Sequence, residues 1–144
     1  MSKKSKYIPK ALRKLVTVQG RRRCAYCLTR EHIIGIPMEI DHIMPKSLGG
    51  PTEEDNLCLA CSLCNNHKNN RISAIDPQSG NMVLLFNPRD QDWNEHFAWM
   101  EDGTQIIGLT ATGRATVEAL ALNRSSRVEA RQWWVEVGWH PPKD

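Results

Sequence analysis

Cys24-Ala25-Tyr26-Cys27 and Cys61-Ser62-Leu63-Cys64 bracket Glu39-Ile40-Asp41-His42-Ile43-Met44-Pro45, and this stretch decides the fold. A lone Cys-x-x-Cys can be a redox pair. A second pair, starting 34 residues after Cys27, completes four thiols in two close pairs, the ligand set of a tetrahedral structural zinc ion. Such a site staples a small region, and removing the metal should unfold it locally. The fifth cysteine, Cys58, lies in the apolar run Leu57-Cys58-Leu59 and reads as a small core hydrophobe. An odd count fits a disulfide framework poorly.

Between the two pairs, residues 37–44 have strand character. Strict alternation sends Asp41 and His42 to opposite faces. For both to serve one site, the strand has to end or bulge there. Pro45-Lys46-Ser47-Leu48-Gly49-Gly50-Pro51 then predicts an irregular loop, and a second strand runs from Asn56 to Ala60. A polar helix follows over Asn65–Arg71. Two strands, a loop and a helix surround one site.

The chain has 144 residues, 40% apolar and 24% charged, an ordinary composition for one compact domain. No apolar run approaches the ~18 residues of a membrane span, and no secretory signal is evident, which points to the cytoplasm. The net charge of +3 hides an asymmetry: residues 1–23 hold nine lysines and arginines and no acid. The other 10 basic and 16 acidic residues leave −6. A basic arm on a mildly acidic body favours a polyanion, since each neutralised phosphate releases counterions. The plain alternative is a solvated tail.

Residues 1–6 read as disordered. From Ile8 the spacing of Ile8, Leu12, Leu15 and Val16 predicts a helix with Pro9 in its first turn and Gly20 as its stop. After the central stretch, a turn at 76–80 precedes a buried strand over Met82–Phe86. A hairpin over 97–109 turns at Asp102-Gly103, and two helices cover about 112–122 and 126–137. Five tryptophans, all after residue 92, are expected to build the core of this extension rather than stack on bases. His96 reads as a satisfied polar residue. The fold class is α+β: a zinc-stapled ββα core at 21–72, a basic N-terminal arm and helix at 1–20, and a mixed extension at 73–144 packed on the core.

The ordered set Cys24-x-x-Cys27, Asp41-His42-Ile43-x-Pro45, Gly49-Gly50, Asn56-Leu57 and Cys61-x-x-Cys64-Asn65-x-x-x-Lys68 resembles the HNH endonuclease family, with its ββα-metal fold. The resemblance covers about residues 20–72. It implies that His42 is the general base that deprotonates water, that Asp41 ligates the catalytic metal, and that Asn56 steadies the loop aiming His42. Asn65 stands at the third motif position in place of His, as in an HNN variant. Asp41 and Asn65 give an oxygen site suited to Mg²⁺ or Mn²⁺. His67 lies ~200° from Asn65 on a helix, so Asn65 is the better ligand.

The resemblance implies metal-dependent hydrolysis of phosphodiesters in double-stranded DNA, leaving 3′-hydroxyl and 5′-phosphate ends. Phosphate contacts are expected from Lys68 and Arg71, from Arg21, Arg22 and Arg23, and from Lys10 and Lys14. The main rival is a catalytically silent, zinc-stabilised nucleic-acid-binding module, which has no need of His42. A redox protein is the third reading.

Overall fold

The computed structural model of the chain describes residues 7–144. The reading of residues 1–6 as disordered, with Lys3, Lys4 and Lys6 of the basic arm, lies outside the described residues. Helix α1 (Lys10–Gln19) follows Pro9, which is its N-cap rather than part of its first turn. Its core side carries Val16, 1% exposed, with Leu12 and the preceding Ile8 partly buried against the core, whereas Leu15 is 40% exposed and falls outside this line. The helix ends at Gly20 in ordinary backbone (φ −79°), not a left-handed cap. The glycine is needed for approach: a Cβ there would sit 2.9 Å from Leu59 Cδ1.

Arg21 and Arg22, both in left-handed backbone, turn the chain into the Cys24–Cys27 knuckle. The knuckle is closed by Cys24 N–H donating to Thr29 O at 2.9 Å. A one-turn helix, α2 (Glu31–Ile34), leads into β1 (Glu39–His42), which pairs antiparallel with β2 (Leu57–Ala60). In this register Glu39 faces Ala60, Asp41 faces Cys58 and His42 faces Leu57. β1 is shorter than the sequence predicts and stops at His42, where the chain enters the long connection. Gly50 sits inside that connection so close to Met44 that a Cβ would lie 1.7 Å from its carbonyl oxygen. Helix α3 (Ser62–Lys68) starts three residues earlier than expected, just after Cys61, and crosses β1.

The rest of the chain adds two hairpins and three helices: β3 (Ser73–Ile75) with β4 (Met82–Leu84), α4 (Trp93–His96), β5 (Phe97–Trp99) with β6 (Ile106–Gly108), α5 (Ala111–Ala119) and α6 (Ser125–Glu136). β4 is not the buried strand expected. Met82 and Leu84 are 63% and 65% exposed, Val83 alone packs part-buried against the core, and the fully buried residues, Leu85 and Phe86, lie beyond the strand. The core runs from Val16, Tyr26, Leu57 and Leu59 to Phe86, Phe97, Ile106, Leu120 and Leu122. Trp93 and Trp99 stack into it beside Phe97 and His140. The expectation that all five tryptophans build the core is corrected: Trp133, on the solvent flank of α6, and Trp139, beyond its end, are 65% and 53% exposed. Among the described residues, no helix is long and apolar enough to cross a membrane.

Candidate metal centre and active site

The knuckle and the start of α3 bring Cys24, Cys27, Cys61 and Cys64 together, all buried, with their sulfurs within 4.8 Å of one another. The Cys27 and Cys61 sulfurs lie 3.8 Å apart. Zn–S bonds of ~2.3 Å in a tetrahedron demand about this edge, so the four thiols fit a structural zinc ion. Among the described residues, no other group of three or more Cys, His, Asp or Glu is close enough to hold a metal. Hydrogen bonds from the other three thiols, Cys24 first, hold Cys27 well below the ordinary thiol range, and the nearby Arg127 charge adds to this. Hydrogen bonding from Cys24 likewise brings Cys61 to about 6. Arg127 Nη1 lies 3.4 Å from Cys27 Sγ, and Arg124 Nη2 lies 3.9 Å from Cys61 Sγ.

The second constellation is built by two matching periods. Residues two apart on β1 share a face, and residues three apart on α3 share a face. Glu39 therefore meets Asn65, whose Nδ2 donates to Glu39 Oε1 at 2.8 Å. Asp41 meets Lys68, with Nζ 3.1 Å from Asp41 Oδ2. Tyr26 from the knuckle donates its hydroxyl to the same Oδ2 at 2.7 Å. Lys68 Nζ also donates to the carbonyls of His42 and Ile43 at 3.2 and 3.1 Å. Lys68 is 1% exposed, which corrects its expected place at a phosphate: β1 covers the face it shares with Asn65. Cys58, opposite Asp41, is buried as the sequence implies, and burial pushes its thiol up.

His42 is half-buried, and its Nε2 lies 2.9 Å from Thr52 Oγ1 in the long connection. Burial, and then the Lys46 charge, lower its pKa from the ordinary 6.5, so the ring is neutral at pH 7. Asn56 closes the same connection at both ends. Its Oδ1 accepts from Met44 N at 2.9 Å, and its Nδ2 donates to the carbonyls of Met44 and Pro51 at 3.0 and 2.9 Å. The oxygen donors Glu39, Asp41 and Asn65 thus line the interface of β1 with α3. Asp41 is 4% exposed with its carboxylate engaged, whereas Glu39 is exposed. Sequence reasoning gave no role to Glu39, Tyr26, Thr52, Arg124 or Arg127. Only Glu39, two residues before Asp41, carried a local signal, the shared strand face.

Lys10 and Lys14 are exposed on α1. Arg21 and Arg23 pair with Asp144, and Arg22 pairs with Glu31. Arg71 is spent on backbone, donating to the carbonyls of His67 and Ala119 at 2.6 and 2.9 Å. His67 is exposed, and His96 Nδ1 is satisfied by Thr110 Oγ1 at 2.6 Å.

Compared with known families, residues 24–71 match the HNH endonuclease family. Residues 24–71 form an HNH endonuclease domain. Its first matched residue is the first zinc-type cysteine, and its last lies three residues beyond Lys68. The chain is also similar to Septu protein PtuB of Bacillus mycoides (strain KBAB4), 28% identical over 153 residues, covering 87% of this chain and 51% of that protein. The chain therefore spans about half the length of the curated relative it matches. No solved structure matches. The HNH domain contains all four cysteines, but both arginines that reach their sulfurs come from outside it.

Proposed function

We propose that the chain is a metal-dependent endonuclease in which His42 of the HNH domain activates water for attack on a phosphodiester of double-stranded DNA. The observation that carries this reading is the setting of His42. The ring is neutral at pH 7, held through Nε2 by Thr52, and mounted on the last residue of β1, where the strand gives way to the long connection. In the tautomer whose Nε2–H donates to Thr52 Oγ1, Nδ1 is left to take the proton from water, and a neutral imidazole suits that task near pH 7. Asn56 keeps the connection that carries Thr52 closed onto Met44 and so fixes the ring's partner.

Oxygen donors suit hard cations such as Mg²⁺ or Mn²⁺, so Asp41 and Asn65 are the residues that would hold one, and Asp41 would have to exchange its Tyr26 and Lys68 partners for the ion. When bound, the ion supplies Lewis-acid stabilisation of the phosphate charge. Lys10, Lys14, Arg21 and Arg22 present the exposed positive charge for the DNA backbone. The similarity to Septu protein PtuB reaches well past the HNH domain, covering 87% of the chain, which supports treating domain and extension as one functional arrangement.

One observation favours a second reading, a silent binding module: Asp41 is already ion-paired to Lys68 inside the protein. Cleavage of supercoiled plasmid with Mg²⁺ or Mn²⁺ separates the two. Wild type should nick or cut, and His42→Ala should lose about 10²–10⁴-fold, the usual worth of a general base. Equal background in both proteins, with DNA binding kept, would leave the binding module.

A further inference from the structure

α6 and its N-cap residue Arg124 supply three arginines that point inward, and their partners differ. Arg131 is fully buried and donates to the carbonyls of Thr104 and Leu122, with its guanidinium over the Trp99 ring. Arg124 and Arg127 instead approach sulfur. Arg127, 8% exposed, reaches Cys27 Sγ at 3.4 Å and Thr29 Oγ1 at 2.7 Å, and its guanidinium lies 5.9 Å from the Trp134 ring centroid. Thr29, itself fully buried, sits 3.2 Å from the same sulfur. Because Arg127 donates to Thr29 Oγ1, the hydroxyl proton is free to point at Cys27. Arg124, half-buried, adds the contact to Cys61 and donates to the carbonyl of Ala121 at 2.9 Å.

Charge decides what this arrangement is for. Among the described residues, neither Arg124 nor Arg127 has a carboxylate within ion-pair distance. Four neutral thiols would leave two cations at a buried site with no opposite charge, a costly arrangement. Four thiolates around Zn²⁺ carry a net charge of −2, which two guanidiniums cancel. Residues around a metal's ligands commonly set how firmly the metal is held. Here they are supplied by an element 100 residues away in sequence from Cys27.

We infer that Arg127, assisted by Arg124, is the counter-charge of the tetrathiolate zinc site, so that zinc occupancy clamps α6 and the tryptophan-bearing extension onto the HNH domain. Arg127 is a positioning residue. It does not bind the metal, but it stabilises the charged ligand set and is held in place by it. The site therefore works in both directions: losing the guanidinium loosens zinc, and losing zinc releases α6. This inference rests on the zinc reading of the four cysteines.

The test uses the full zinc-loaded chain and follows zinc transfer to the chromophoric chelator 4-(2-pyridylazo)resorcinol together with tryptophan emission. All five tryptophans lie in the extension, and Trp134 stacks on Arg127 itself. Arg127→Met should release zinc about 10- to 100-fold faster than wild type, Arg127→Lys should fall between, and exposed Trp133→Ala should match wild type. In wild type the emission should move to the red with the same rate constant as zinc release. Should Arg127→Met not fold, Arg124→Gln reads the same effect at the edge of the site, with a smaller acceleration expected. Wild-type release rates in both arginine variants, or an unchanged emission after zinc is stripped, overturn the inference. A wild-type chain that binds no stoichiometric zinc overturns the zinc reading beneath it.

Discussion

Lys68 Nζ lies 3.1 Å from Asp41 Oδ2 with both side chains almost wholly out of solvent, so the HNH helix is tied to the first strand by a buried ion pair. The pair is further satisfied by the Tyr26 hydroxyl and by two strand carbonyls. Removing one member of such a pair leaves the other charge stranded, at a cost of about 3–5 kcal/mol. Lys68→Met should therefore lower the unfolding free energy by about 3 kcal/mol in urea titrations. A variant of unchanged stability but weakened DNA affinity would instead return Lys68 to the phosphate-contacting role suggested by its motif position.

Asn56 tests the long connection. Its amide makes three hydrogen bonds, to Met44 N, Met44 O and Pro51 O, and closes the loop that carries Thr52 to His42. At about 0.5–1.5 kcal/mol for each bond, Asn56→Ala should cost about 2 kcal/mol of stability. It should also lower plasmid nicking, since the ring loses its fixed partner. A variant that nicks at the wild-type rate while destabilised to this extent would detach the loop from the chemistry.

The cysteine spacing, the Asp41-His42 pair, Asn56 and the strand–loop–strand–helix order were legible in the sequence because each depends on local spacing. Metal ligands must come in close pairs, and strand and helix periods are short. What was not legible is non-local. Nothing near Arg127 says that it will meet Cys27, and nothing near Lys68 says that β1 will cover it. Helical spacing put Lys68 on the same face as Asn65 but did not say which face was wet. α2 and α4 are single turns, too short for any periodicity to register. Trp133 was read as core from residue type alone, yet the buried line of α6 is taken by arginines with sulfur and carbonyl partners.

The pH profile of nicking should report His42. Burial and the Lys46 charge depress its pKa from 6.5, so the neutral base persists below that value and the acid limb of kcat/KM should fall below pH 6.5. Lys46→Gln removes a nearby positive charge and favours the imidazolium, so the acid limb should move to higher pH. A limb that stays fixed in this variant, or that already lies above pH 6.5 in wild type, would argue that another group limits the rate.

His140 should make the fold acid-sensitive independently of activity. It is 5% exposed, packed between the Trp99 and Trp134 rings, and burial followed by the Arg131 charge lowers its pKa from 6.5 to about 4. The unfolded chain takes up the proton first. Stability from the buried neutral ring is thus fully present above pH 6.5 and is lost as pH falls towards 4, up to about 3 kcal/mol. His140→Leu should flatten that part of the stability profile, measured by urea midpoints from pH 7.5 to 4.5. An equally steep loss in the variant would assign the acid sensitivity elsewhere.

DNA affinity should carry the signature of a basic surface on α1. Lys10 and Lys14 are exposed and lie one helical turn apart, with no carboxylate at ion-pair distance among the described residues. Arg21 is already paired with Asp144 and Arg22 with Glu31, so each must give up its partner to reach a phosphate. The two lysines should therefore contribute more of the salt dependence. A Lys10→Gln/Lys14→Gln double variant should reduce the slope of log affinity against log salt by about 2, roughly one for each lost phosphate contact. Filter-binding or anisotropy titrations on a short duplex between 50 and 200 mM salt would measure it. An unchanged slope would move the DNA path off this helix and onto the face presented by Arg21 and Arg22.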